Sequence, residues 1–141
     1  MSTTTYTATA APRVTASTGS LVGHGLGATV FASGATVAVA AAGQAAGISL
    51  DVGGAPIPVL GFATLTAFFS VIGLVLAVVL GRLARHPRST FVRTTVVLTV
   101  LSLVPDVIVE AAPATKALLM LTHLVAAAIV VPAVARRLDG S

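Results

Sequence analysis

Apolar positions in this chain gather into four nearly unbroken stretches, roughly 21–46, 57–81, 91–109 and 114–135, separated by short breaks rich in charge, proline or glycine. About 20 apolar residues rising 1.5 Å each match a hydrocarbon core of about 30 Å. Inside that core a helix satisfies its own backbone groups within one segment. The pattern therefore predicts an all-α fold, a four-helix transmembrane bundle over residues 21–138. Residues 1–20, MSTTTYTATAAPRVTASTGS, carry one charge, Arg13, and no apolar period, which predicts a disordered tail. The first apolar stretch starts late and outruns the 7–15 residue core of a signal peptide, so it is expected to be retained.

Periodicity within the stretches predicts how the helices meet. At 100° per residue, Gly23, Gly27, Gly34, Ala38 and Ala41 fall within about 60° of one another on the first span. On the second, Thr66, Ser70, Gly73, Ala77 and Gly81 repeat the device. Small side chains let helix backbones approach closely, and lipid supplies no hydrophobic drive to replace that contact. Both stripes are expected to build the bundle or a dimer rather than to bind a ligand.

The third span is the most polar. Thr95, Thr99, Ser102, Asp106 and Glu110 form one continuous face, expected to point inward. Pro105 removes a backbone donor and frees the Leu101 carbonyl, so the helix should kink or end about one turn later. Asp106 lies 13 residues beyond Arg93, about 20 Å by helical rise and so about 10 Å below the far boundary. Counting seven residues in from Lys116 places His123 at the same level. Gln44, and Thr64 or Thr66, fall close to it. This gives a candidate buried polar cluster of Asp106, His123, Ser102, Gln44 and Thr66. A carboxylate at lipid depth requires a partner, and His123 is the expected one. The favoured reading is a clasp that fixes helix register, and the alternative is a pH-sensitive or proton-carrying pair.

Charge adds orientation. Of 141 residues only 9% are charged and 56% are hydrophobic, with a net charge of +4. Arg13, Arg82, Arg85, Arg88, Arg93, Arg136 and Arg137 fall on one side of the predicted bundle, and Lys116 alone falls on the other. The positive-inside rule then places both termini and the RLARHPRSTFVR segment in the cytoplasm. That segment also suits anionic lipid heads, although a topology anchor accounts for it. The basic residues serve topology, and no nucleic-acid partner is expected.

The chain has no cysteine, which removes disulfides, thiolate metal sites and cysteine nucleophiles. It has no GxSxG elbow, phosphate-cradling glycine loop or HExxH pair. His24 sits near the inner end of span one, about 30 Å from the level of Gln44, so it cannot join His123 in holding a haem. One histidine and one aspartate fall short of a zinc site, and Asp51 in SLDVGGAPIP reads as a solvated turn. No cofactor is expected.

The GISLDVGG loop, the VLSLVPD of span three and the MLTHLVAAAIVVPAVARRL of span four, with Ser102, Pro105, Asp106, His123 and Pro132 as their most specific positions, resemble a group of small four-span actinobacterial membrane proteins catalogued as a domain of unknown function. The resemblance covers about residues 21–138 and implies a bacterial inner-membrane protein with no assigned activity. Small multidrug exporters carry a glutamate within span one, where this chain has His24 and Gln44. Three functions are compatible with these features. The favoured one is a non-enzymatic accessory or assembly component of the bilayer, as a homo-oligomer or within a larger complex. The others are a proton-coupled carrier or channel using Asp106 and His123, and a membrane enzyme acting on a lipid or quinone with His123 as base.

Overall fold

The computed structural model describes residues 18–138. Within them the order is α1 (Thr18–Ala45), β1 (Asp51–Val52), β2 (Ala55–Pro56), α2 (Val59–Leu83), α3 (Pro87–Ile108) and α4 (Pro113–Ala135). All four helices are long and apolar enough to cross a membrane. Their outer faces carry large apolar side chains, among them Phe68, Phe69, Val75, Leu101 and Ile108. Surface of that extent belongs against lipid rather than water, and the chain is a multi-pass membrane protein.

Helix ends follow backbone hydrogen bonding more closely than hydropathy. α1 begins at Thr18, so the last three residues of the expected tail are helical; residues 1–17 of that tail lie outside the described residues. α3 begins at Pro87, four residues before the apolar stretch, because Pro87 supplies the first-turn position at which a missing N–H costs nothing. The RLARHPRSTFVR segment is thus mostly helical, leaving only residues 84–86 between α2 and α3. At the other end of α3, Pro105 acts as expected. The helix stops at Ile108, and the Val109 N–H bonds the Pro105 carbonyl at 2.9 Å.

α1 closes on Gly47, whose φ of +85° is left-handed. The Gly47 N–H donates to the Gln44 carbonyl at 3.0 Å, and the Ile48 N–H reaches the Gly43 carbonyl at 2.9 Å. Those two bonds satisfy the last carbonyls of the helix. The exposed turn expected at Asp51 takes the form of a short hairpin. Asp51 pairs with Pro56 and Val52 with Ala55, and Gly53 and Gly54 both take positive φ, as a two-residue hairpin requires. A hydrogen bond of 2.9 Å from Gly53 N–H to the Glu110 carbonyl ties this turn to the end of α3.

α1 packs against α2 and α4, α3 packs against α4 and α2, and α2 touches α4 across the diagonal, leaving α1 and α3 at opposite corners. Apolar side chains gather in two clusters. One, at the end where α1 begins and α4 finishes, includes Leu21, Leu74, Phe91, Val134 and Leu138. The other, at the hairpin end, includes Ala40, Leu50, Phe62, Leu118 and Leu119.

The glycine stripes divide differently from the periodicity. On α2, Ser70 and Ala77 are buried as expected. On α1 the stripe of Gly23, Gly27, Gly34, Ala38 and Ala41 is one coherent face, but it is exposed. A methyl added at Gly23, Gly27, Gly34 or Gly73 would meet nothing within 4 Å. Close approach inside the bundle instead occurs at Gly25, where a methyl would lie 2.5 Å from Leu74 Cδ1, and at Gly43, 2.6 Å from Leu118 Cδ2. Periodicity identifies a face of small residues; it does not tell which side of the helix the neighbours occupy.

Candidate functional site

Asp106 and His123 meet. Asp106 follows Pro105 in the last turn of α3, buried against α4, and His123 lies about midway along α4, partly exposed. His123 Nδ1 is 2.9 Å from Asp106 Oδ2, with side-chain exposures of 37% and 10% respectively. The same nitrogen lies 3.0 Å from the Leu119 carbonyl one turn back on α4. One N–H thus has two acceptors within reach. It is directed at the carbonyl, and Asp106 Oδ2 is buried without a donor aligned on it. The contact is therefore one of proximity without an aligned hydrogen bond, and a small ring rotation would exchange one acceptor for the other.

The rest of the expected cluster does not assemble. Ser102 turns back to donate to the Thr99 carbonyl at 2.7 Å. Thr66 lies 3.0 Å, hydroxyl to hydroxyl, from Thr36 on α1, and Gln44 is exposed at the end of α1. Thr66 is level with Thr36, which sits eight residues from Gln44 along α1, about 12 Å by helical rise. Helical rise gives height along the membrane normal but not position around the bundle, and α1 stands at the corner opposite α3. The expected single polar level is instead a set of separate seams.

Each seam has its own polar contact. Ser33 donates to the Ala63 carbonyl at 3.4 Å beside the Thr36–Thr66 pair, joining α1 to α2. Lys116 Nζ donates to the Val107 carbonyl at 2.8 Å, so it secures the last turn of α3 to α4 and does not meet Asp106. Thr115, fully buried, donates to the Ser49 carbonyl at 2.6 Å and joins α4 to the segment leading into the hairpin. Thr36 and Thr115 escaped the sequence reading because an isolated threonine in an apolar helix more often bonds its own backbone, as Thr29 and Thr95 do here.

A match to the family described as "Family of unknown function (DUF6069)" spans residues 16–140, nearly the whole chain. The chain belongs to that family. No curated protein and no solved structure matches it significantly. What this DUF6069 chain can do must therefore be read from its own groups. Among its described residues no three His, Cys, Asp or Glu side chains converge on a point that would hold a metal ion. His24 lies near the start of α1, well away from His123 at the middle of α4, with Nδ1 at 2.8 Å from the Ser20 carbonyl and with Arg136 and Arg137 nearby. The Asp106–His123 pair offers a fixed link between α3 and α4, and a proton with two alternative acceptors.

Proposed function

We propose that the protein is a non-enzymatic component of a bacterial inner membrane, an accessory or assembly subunit whose four helices are held in fixed register. Its termini and the break between α2 and α3 face the cytoplasm, following the basic residues concentrated at that end. The actinobacterial membrane is the setting that its resemblance implies. The Asp106–His123 contact at 2.9 Å carries the reading, because it uses two ionisable groups within the spans to join two helices. The seams at Thr36–Thr66, Lys116–Val107 and Thr115–Ser49 support it. The outer half of the small face on α1, at Gly34, Ala38 and Ala41, is the side this scaffold offers to a second copy or to a larger complex.

A proton-coupled carrier or channel is the second reading. It is favoured by the buried Asp106 oxygen with no aligned donor beside a part-exposed imidazole, an arrangement in which a proton has somewhere to go. One experiment separates the two. The wild type and Asp106→Asn are reconstituted in vesicles with an imposed pH gradient, and the gradient is followed with an internal dye alongside unfolding in detergent. The scaffold reading expects identical dye traces and a lower melting temperature for the variant. A gradient that collapses with the wild type and persists with the variant would establish the carrier instead.

A further inference from the structure

The end of the bundle where α1 begins and α4 finishes holds an open groove of about 1040 Å³ between these two helices. Its floor is Gly23 and Gly27, its walls include Phe31 and Ile129, and Arg136 and Arg137 stand at its mouth. The floor is vacant in the folded chain: a methyl on either glycine would meet no atom within 4 Å. Phe31 is exposed along one wall. From Gly19 to Phe31 the groove follows twelve residues of α1, about 18 Å by helical rise. One end is cationic and lies at the level where α4 leaves the membrane. Ser20 and His24 continue the polar end along the groove, and the stretch from Gly27 to Phe31, with Ile129 and Ala133, is apolar.

We propose that this groove binds an anionic phospholipid, its phosphodiester between Arg136 and Arg137 and an acyl chain laid over Gly23 and Gly27 against Phe31. Length, polarity and charge each argue for an amphiphile that enters from the cytoplasmic leaflet. A small soluble anion would leave the apolar length of the groove empty. A second copy of the chain fits poorly. At this level a parallel copy presents the same two arginines and, by sequence, a single acid, Asp139, whereas Asp51, Asp106 and Glu110 all lie toward the hairpin end. The N-terminal segment fits no better, since residues 1–17 contain Arg13 and no acid to meet the arginines. A basic pocket between membrane helices on the cytoplasmic side is the arrangement that holds anionic head groups. The inference goes beyond the scaffold reading and does not depend on it.

The full chain in neutral detergent is titrated with phosphatidylglycerol and, separately, with phosphatidylcholine. Binding is followed by native mass spectrometry and by melting temperature. Phosphatidylglycerol should bind and raise the melting temperature, and phosphatidylcholine should do so far less. The double variant Arg136→Gln/Arg137→Gln should weaken phosphatidylglycerol binding about thirtyfold, from about 1 kcal/mol for each arginine near the surface. Gly27→Leu, which fills the floor while keeping both charges, should also weaken it; its helicity checks that the fold survives. Arg85→Gln/Arg93→Gln removes the same charge from exposed positions that do not line the groove and should leave binding nearly unchanged. The proposal fails if the two lipids bind alike or if the Arg85/Arg93 variant loses as much as the Arg136/Arg137 variant, which would mean diffuse surface attraction. It also fails if Gly27→Leu leaves lipid binding intact and instead reduces the oligomer, which would assign the groove to a second copy.

Discussion

At the scale of single residues, the two members of the Asp106–His123 pair do not depend on each other equally. Removing Asp106 leaves the imidazole N–H directed at the Leu119 carbonyl, where it already points. Removing His123 takes away the nitrogen 2.9 Å from the buried Oδ2, which a small ring rotation would bring to donate to an oxygen that has no aligned donor as it stands. A buried polar atom without a partner costs about 1 to 3 kcal/mol, whereas exchanging both partners for apolar groups of similar size is close to neutral. His123→Leu should therefore lower stability by about that amount, and Asp106→Leu should lower it distinctly less. The double variant should recover most of the His123→Leu loss. Unfolding of the four proteins in detergent measures this cycle, and equal single losses that simply add would mean that the two side chains act separately. The glycines divide in the same way. Gly25→Ala pushes a methyl into Leu74 and should destabilise by about 1 kcal/mol, whereas Gly34→Ala enters open space and should be neutral or slightly stabilising. Melting temperatures of the two variants decide whether the inward glycine is the one that matters for folding.

At the scale of elements, the chain's own chemistry predicts helices better than it predicts where they stop. Long apolar runs identify all four, and Pro105 announces the end of α3 within one turn. The early start of α3 was less legible, because arginine, serine and threonine at its first turn look like a loop on a hydropathy scale and form a helix once Pro87 begins it. The hairpin was hidden for a related reason: its strands are two residues each, too short to show any alternation, and only the Gly53–Gly54 dipeptide marks the turn. Gly47 carries the sharpest element-level prediction. Its left-handed φ of +85° closes α1 and starts the path to Leu50 in the hairpin-end core. A side chain at that position costs about 1 to 2 kcal/mol, so Gly47→Ala should destabilise by that order, and Gly47→Asn, better suited to left-handed backbone, by less. Hydrogen exchange should show the loss first in the last turn of α1 and in residues 48–57. Equal exchange in all three proteins would mean that the cap is not what ends the helix.

At the scale of the whole molecule, the limit of sequence reasoning was angular. Heights along the membrane normal placed Asp106 opposite His123 correctly, since both count from charged boundaries on adjacent helices. The same counting grouped Gln44 and Thr66 with them, although Thr66 faces Thr36 across the α1–α2 seam and α1 stands at the far corner from α3. Orientation across the membrane is also a whole-molecule property, and it is open to a direct test because the chain has no cysteine. At one end of the bundle, Arg82, Arg85, Arg88, Arg93, Arg136 and Arg137 lie about the end of α4 and the short break at 84–86; at the other, Lys116 is the only Lys or Arg among the described residues. Moving Lys or Arg across a bilayer is costly, which biases insertion toward leaving them inside. Ser89, exposed in the first turn of α3, reports the basic end. At the other end Gly53 would be a poor reporter, because its positive φ and its bond to Glu110 make any side chain there disruptive. Ala112, exposed and extended just before α4, is the better site. In intact cells an impermeant thiol reagent should label Ala112→Cys and leave Ser89→Cys unlabelled until the membrane is opened. Adding arginines beside Ala112 should shift part of the population toward the reverse pattern. If Ser89→Cys is the one labelled in intact cells, the arginines do not set the orientation, and the groove at Arg136 and Arg137 faces the outer leaflet.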